Sequence, residues 1–206
     1  MKTLIQQGAE AKIFLDKSII SKQRIPKGYR HPKLDEQIRK QRTKKEGKIL
    51  HKAYALNIQV PKILNTNEKG EPNNKFNLEI EFIDGDRLSE TLNDYDEKKQ
   101  FLTMKQIGKQ VALLHTNNLI HGDLTTSNTI LRDNKVFIID FGLGFVSTKQ
   151  EDKAVDLHLI KQALEAKHWS NHEKLFEQFT KGYKWEDSEK ILTRLKAVER
   201  RGRYKH

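Results

Sequence analysis

Alternation of apolar and polar residues marks several short strands in the first part of the chain. This pattern predicts strands at Thr3–Gln7, Lys12–Asp16, Ser18–Arg24, Val60–Leu64 and Phe76–Ile83. Between the third and fourth of these, sparse apolar residues at helical spacing predict one long polar helix from about residue 32 to 56. The first part of the chain is therefore predicted to be β-rich with a single long helix.

Helical periodicity dominates after the segment 83–86, where the sequence IDGD interrupts the pattern. We predict helices over about 97–117, 151–167, 171–182 and 185–200, and two short strands at Thr129–Arg132 and Lys135–Ile139. Thr148 and Glu151 have the spacing of a capping box. The expected fold class is α+β and bilobal, with a β-rich lobe over 1–83 and a small helical lobe over 84–206 that ends in a basic tail at 200–206.

Composition restricts the chemistry that this chain can perform. It has 206 residues, which suits one domain or two small lobes, and it contains no cysteine. Disulfides, thiolate catalysis and cysteine-based zinc sites are thereby excluded. No apolar run approaches the ~18 residues of a membrane span. We therefore expect a cytoplasmic protein with no membrane partner.

Positive charge is concentrated near the beginning and the end of the chain. The net charge is +11, and the first 60 residues contain 15 Lys and Arg against five Asp and Glu. Segregated positive charge favours a polyanionic partner such as nucleic acid, although a solvated helix face has the same pattern. The candidate RNA- or partner-binding residues are Arg39, Lys40, Lys44, Arg200, Arg201 and Arg203.

One segment has the spacing that phosphoryl transfer requires. Asp123 and Asn128 show the D-x-x-x-x-N spacing of a kinase catalytic loop, and Asp140 begins an Asp-Phe-Gly turn after an apolar strand. In this pattern Asp123 accepts or orients the attacking hydroxyl or water, and Asn128 and Asp140 hold Mg²⁺ on the phosphate oxygens. The alternative is a set of polar turn residues around two strands.

Further residues match other parts of a kinase nucleotide site. Lys22 lies on the third predicted strand, and Glu46 on the long helix is the expected ion-pair partner that orients it toward ATP phosphates. Backbone amides of Gly8, Ala9, Glu10 and Ala11 would cover those phosphates, although this loop has only one glycine. Main-chain groups between Glu81 and Ile83 would bind adenine, unless this is an ordinary strand end.

The chain also departs from typical protein kinases. Gly122 replaces the arginine that responds to activation-loop phosphorylation, and no Ala-Pro-Glu motif follows. Eight residues separate Gly142 from Glu151, which leaves no long segment for binding a peptide. We therefore expect a minimal, atypical kinase.

Seven motifs together resemble one family, the small atypical kinase/ATPase subunit of the KEOPS (EKC) complex, or PRPK family, in its archaeal form. The resemblance covers essentially the whole chain and rests on segments 7–11, 22–35, 38–46, 121–128, 139–144, 151–157 and 200–204. It implies ATP with Mg²⁺ or Mn²⁺ as cofactors. It also implies autophosphorylation on Ser or Thr and ATPase activity within KEOPS.

The implied role is support of threonylcarbamoyladenosine modification in tRNAs that read ANN codons. The implied partners are tRNA, the threonylcarbamoyl-transferase subunit, whose site the basic tail approaches, and a small accessory subunit on the N-terminal lobe. An alternative is a sugar- or aminoglycoside-type small-molecule phosphotransferase, which uses a similar H-G-D loop. A third reading is a non-catalytic RNA-binding or scaffold protein, which would not need Lys22, Asp123, Asn128 and Asp140 intact.

Overall fold

The computed structural model describes residues 2–203, and the side chains of residues 2–201. The chain forms two compact units. The first contains the residues up to Asp84 together with Phe141–Leu143, and the second contains Gly85–Asp140 and the residues from Gly144 onward. None of the helices in the described range combines the length and the apolar character that a membrane span needs.

The element order confirms the predicted α+β class. The strands are β1 (Thr3–Gln7), β2 (Ala11–Asp16), β3 (Ile19–Arg24), β4 (Asn77–Glu81), β5 (Asp86–Arg87), β6 (Leu119–Ile120), β7 (Thr129–Arg132), β8 (Lys135–Ile138) and β9 (Phe145–Val146). The helices are α1 (Pro32–Ala55), α2 (Leu88–Thr91), α3 (Glu97–Thr116), α4 (Gln150–Lys167), α5 (His172–Gly182) and α6 (Ser188–Arg203). Short 3₁₀ turns lie at Leu92–Asp94 and Thr126–Asn128.

The first unit is an antiparallel sheet in the order β1-β2-β3-β4, accompanied by α1. In the ladders, Lys22 of β3 lies opposite Ile13 of β2 and Leu78 of β4. Residues two apart on a strand share a face, so Lys22 and Arg24 lie on the same side of the sheet. Both are buried, which requires a partner for each charge.

The second unit is built on α3, whose apolar stripe of Met104, Ile107, Val111 and Leu114 is fully buried. Beside it, β7 and β8 form a hairpin whose turn residues Asp133 and Asn134 have φ values of 49° and 58°. Asp and Asn tolerate such left-handed conformations, as a two-residue hairpin turn requires. The hairpin joins the end of the predicted catalytic loop, residues 121–128, to Asp140.

Two local predictions were wrong. Residues 60–64 form no strand, because Pro61 cannot donate to a ladder, and only an isolated bridge joins Ile63 to Ile80. The predicted Thr148–Glu151 capping box does not form either. Lys149 is the N-cap residue of α4, and its amide donates to Oγ of Ser147 at 3.1 Å.

Candidate active site

The backbone of the predicted catalytic loop is held by one buried carboxylate on α4. The two oxygens of Asp156 accept the amide hydrogens of His121, at 2.6 Å, and of Gly122, at 2.8 Å. Gly122 has a φ of 80°, in the left-handed region where glycine is favoured, which explains its presence where kinases carry arginine. Asp156 therefore fixes the position at which the catalytic loop starts.

The ring of His121 connects this loop to the strand that leads to Asp140. Its Nε2 lies 2.9 Å from the carbonyl oxygen of Ile139, and the amide of Asp123 donates to its Nδ1 at 3.2 Å. A carbonyl accepts and an amide donates, so the proton of the neutral ring must be on Nε2. The ring thereby links the backbone at Asp123 to the residue just before Asp140.

Asp123 and Asn128, which their spacing assigns to one predicted catalytic loop, are in direct contact. Nδ2 of Asn128 donates to the backbone carbonyl of Asp123 at 2.8 Å and to its Oδ2 at 2.9 Å. Both amide hydrogens are thus directed at Asp123, while Oδ1 of Asn128 accepts no hydrogen bond from the described residues. The backbone carbonyl of Asn128 also accepts the amide of Ile139 at 3.0 Å. These contacts leave the carboxylate of Asp123 and the amide oxygen of Asn128 available to a ligand.

Asp140 is the third predicted chemical group of this unit. It is exposed and has a φ of 61°, which is uncommon for a residue other than glycine and is concentrated at functional sites. An exposed carboxylate and an amide oxygen without a hydrogen bond are the hard ligands that Mg²⁺ takes when phosphates supply the others. The described side chains form no cluster of three or more His, Asp or Glu suited to a metal. These residues therefore fit a metal that arrives with a nucleotide.

Two residues behind the catalytic loop were not predicted. His115 lies with Nδ1 2.7 Å from the Tyr183 hydroxyl and Nε2 3.3 Å from Oδ2 of Asp156. Burial lowers the pKa of His115, although the contact with Asp156 opposes this shift. Burial also raises the pKa of Tyr183. The neutral histidine therefore donates to Asp156 and accepts from the tyrosine, so Asp156 is held from both sides.

A second buried histidine supports the 3₁₀ turn that follows. His168 lies with Nε2 3.2 Å from Oγ1 of Thr126 and Nδ1 2.6 Å from Oδ1 of Asn93. Burial lowers the pKa of His168. No local sequence pattern predicts the contacts of His168 with Asn93 and Thr126, because these contacts depend on the positions of the ends of α2 and α4.

In the first unit, the predicted ion pair between Lys22 and Glu46 is present. Nζ of Lys22 lies 2.7 Å from Oε1 of Glu46. Arg24, which was not predicted, places Nη2 2.5 Å from the other oxygen of Glu46. All three residues are buried. Two cations on one carboxylate leave a net positive charge in this cluster, which suits an anionic ligand.

The loop from Gly8 to Ala11 forms a tight turn between β1 and β2, with the Gly8 amide donating to the Ala11 carbonyl at 3.0 Å. The Glu10 side chain is directed to Arg42, at 2.7 Å, so only its backbone remains a candidate phosphate ligand.

The segment predicted to bind adenine follows β4. The Glu81 amide donates to the backbone carbonyl of Lys62 at 2.8 Å. Ile83 is buried, and its main chain makes no hydrogen bond within the described residues.

The predicted RNA- or partner-binding residues differ in availability. Nε of Arg39 lies 2.7 Å from Asp35 and its guanidinium covers Phe76, which favours a structural role over the predicted contact. Lys44 pairs with Glu71 at 3.0 Å, whereas Lys40 is exposed.

On α6, Arg201 pairs with Glu151 at 2.9 Å and Arg200 is exposed. The Arg203 side chain and the end of the tail at 204–206 lie outside the described residues.

Comparison with known proteins identifies the family. The RIO domain model matches residues 15–158. The KEOPS complex subunit Bud32 of Pyrococcus abyssi is 38% identical over 98% of this chain and 96% of its own length. The chain belongs to the Bud32 family of KEOPS complex subunits.

Other matches extend the comparison. A probable bifunctional tRNA threonylcarbamoyladenosine biosynthesis protein of Methanocaldococcus jannaschii is 40% identical, and the chain spans only 37% of its length. Among solved structures, the Rio2 kinase–ADP/Mg²⁺–phosphoaspartate complex from Chaetomium thermophilum has a TM-score of 0.63. It is 13% identical and covers 98% of this chain and 70% of its own, so it shows the kinase-like fold alone. A Bud32-family chain with this fold carries the framework of a phosphotransferase or ATPase.

Proposed function

We propose that this chain is an ATP-dependent phosphotransferase or ATPase that supports threonylcarbamoyladenosine modification of tRNAs reading ANN codons. The observation that carries the proposal is the contact of Asn128 with Asp123, which leaves a carboxylate and an amide oxygen available. The names of the Bud32-family relatives favour a KEOPS complex and this modification as the setting.

Asp123 is the group that acts on the nucleophile. Its carboxylate, held by Asn128, orients a water molecule toward the γ-phosphorus of ATP. The water oxygen forms the new P–O bond, the bond to the β-phosphate oxygen breaks, and ADP leaves as the proton passes through Asp123 to phosphate. With a Ser or Thr hydroxyl in place of water, the same groups would perform protein phosphorylation.

The remaining site residues bind the nucleotide. Asn128 and Asp140 would hold Mg²⁺ or Mn²⁺, which neutralises charge on the phosphate oxygens when bound. Lys22, oriented by Glu46, would bind the α- and β-phosphates. The backbone of Gly8–Ala11 would cover the phosphates, and the main chain at Glu81 and Ile83 would bind adenine. Residues 1–83 and 84–206 would be the two lobes of the kinase.

The partners follow from the relatives and from charge. Because the relative from Pyrococcus abyssi is named a KEOPS complex subunit, we propose the threonylcarbamoyl-transferase subunit of such a complex as a partner. A small accessory subunit would bind the N-terminal lobe. The exposed cations Lys40 and Arg200 would contact tRNA, with the cytoplasm as the expected location.

ATP hydrolysis by the purified chain tests this proposal. Turnover is measured with Mg²⁺, alone and with tRNA and a transferase subunit, for the wild type, Asp123→Asn and Asp140→Asn. Loss of a positioned carboxylate should lower kcat about 10²- to 10⁴-fold. The substitution removes charge but keeps shape, so thermal stability should change little.

Asp133→Asn is the matched control, because Asp133 is an exposed residue of the β7–β8 turn. Its turnover should equal that of the wild type. Equal turnover in Asp123→Asn and Asp140→Asn would refute the catalytic role. A sugar or aminoglycoside that raises turnover of the chain without a partner would instead favour the small-molecule phosphotransferase.

A further inference from the structure

The loop predicted to cover phosphates is anchored although it has a single glycine. Lys27 donates from Nζ to the Ala9 carbonyl, and the Ile25 amide donates to the Glu10 carbonyl at 3.3 Å. Together with the Gly8–Ala11 hydrogen bond inside the loop, these contacts give each of its four residues a backbone hydrogen bond. The loop is therefore fixed by the segment that follows β3.

The Glu10 side chain adds an ionic contact with α1. Its Oε2 lies 2.7 Å from Nη1 of Arg42, and its Oε1 lies 3.6 Å from Nη2 of Arg30. Arg30 also reaches Asp35, at 3.6 Å, near the start of the same helix. Both oxygens of Glu10 are thus paired, and the carboxylate faces protein cations.

Space beside the loop is consistent with a ligand. A Cβ built on Gly8 would have only one neighbour within 4 Å among the described residues, the Ala11 carbonyl oxygen at 3.9 Å. Packing of the protein therefore does not require a glycine at this position. The absence of a side chain instead leaves room for a bound group to approach the backbone.

We propose that Arg42 is a positioning residue that acts through Glu10 to hold the loop amides in place for the triphosphate. This inference rests on the proposed ATP-binding function. Glycine-rich loops reach phosphates through a permissive backbone, whereas this loop is pre-organised by the ion pairs of Glu10 with Arg42 of α1 and with Arg30. Arg42 thus contributes to the affinity for phosphates without touching them.

Nucleotide affinity separates this role from general stability. Dissociation constants for Mg²⁺–ATP and for adenosine are measured by calorimetry on the whole chain, for the wild type, Arg42→Gln, Glu10→Gln and the double variant. We expect both single variants to bind ATP about fivefold more weakly, the upper end for a partly exposed ion pair. Adenosine affinity should stay within about twofold, because adenosine lacks the phosphates that the loop contacts.

The double variant should bind ATP no more weakly than Glu10→Gln, because that substitution already removes the pair with Arg42. Lys33→Gln is the matched control, since Lys33 is an exposed cation of the same helix. Its ATP affinity should equal that of the wild type.

The two proposals fail in different ways. A wild type that binds ATP no more tightly than adenosine would refute both the ATP function and this inference. A wild type with normal ATP affinity, together with Arg42→Gln that binds equally well, would refute the positioning role alone. Equal losses for ATP and adenosine would also refute it, because they would show general destabilisation.

Discussion

Glu46 is the residue on which the two buried cations of the first unit converge. Each of its oxygens contacts a different charged group, Lys22 at 2.7 Å and Arg24 at 2.5 Å. Hydrogen bonds that involve charged groups contribute about 1.5–3 kcal/mol when buried. Lys22 can therefore be directed at a ligand while Arg24 keeps the carboxylate in place.

Arg24→Gln should lower the free energy of unfolding by about 1–3 kcal/mol, because one buried oxygen of Glu46 loses its charged partner. Urea denaturation measures this change. Arg24→Lys should lower the free energy of unfolding by less, since an ammonium group retains the charge. Lys12→Gln on the adjacent strand is the control and should match the wild type. An Arg24→Gln variant as stable as the wild type would show that the guanidinium contributes nothing to the stability of the cluster.

Whether the role of a residue could be predicted from the sequence depended on how far apart in the chain its contacts lie. Asp123, Asn128 and Asp140 could be selected because they stand at fixed spacings, and the structure adds that the first two are in contact. Arg24 could have been found from its position two residues after Lys22, because alternate strand residues share a face. The partnership of His115 with Tyr183 spans 68 residues and has no local signal. It arises only when α3 and α5 pack.

Close packing of α3 against α5 is the main feature at the scale of elements. Gly108 of α3 faces the backbone of Phe179 and Tyr183, and Gly182 of α5 faces the backbone of Lys105. A Cβ at either glycine would overlap a carbonyl oxygen of the other helix. Main-chain atoms cannot rotate away as a side chain can, so the two helices would have to separate.

Gly108→Ala should therefore destabilise the protein by about 1–3 kcal/mol, the usual cost of overpacking. Helix propensity alone predicts the opposite sign, a gain of about 1 kcal/mol. Thermal and urea unfolding measure whether the loss from overpacking or the gain in helix propensity is larger. Gly28→Ala is the control, because Gly28 has no heavy atom within 4 Å of a built Cβ in the described part of the chain. A stabilised Gly108→Ala variant would contradict the close approach of the helices.

Periodicity predicted the long elements well and the short ones poorly. Both α1 and α3 lie within one residue of their predicted ends. The two-residue strands β5, β6 and β9 have too few residues to show a pattern, so only tertiary pairing defines them. The capping box predicted for α4 was wrong, because Glu151 pairs with Arg194 and Arg201 of α6 and does not cap its own helix.

Charge is the property that belongs to the whole molecule. The excess of +11 is concentrated in the first 60 residues and near the end of the chain, while the region of the catalytic loop is acidic. Ion pairs already use part of this charge, since Arg39, Arg42 and Lys44 contact carboxylates. The cations that remain exposed, such as Lys40 of α1, are the ones that a polyanion can reach.

Binding of tRNA should therefore depend on salt and on the location of each lysine. Lys40→Gln is compared with Lys98→Gln, an exposed lysine of α3, by filter binding of tRNA at several salt concentrations. Both variants lose one positive charge, so their long-range attraction to tRNA falls equally. A phosphate contact at Lys40 should weaken binding in Lys40→Gln and reduce the slope of log K against log salt by about one. Lys98→Gln should keep the wild-type slope. Equal slopes in the two variants would mean that net charge alone attracts tRNA and that α1 makes no local contact.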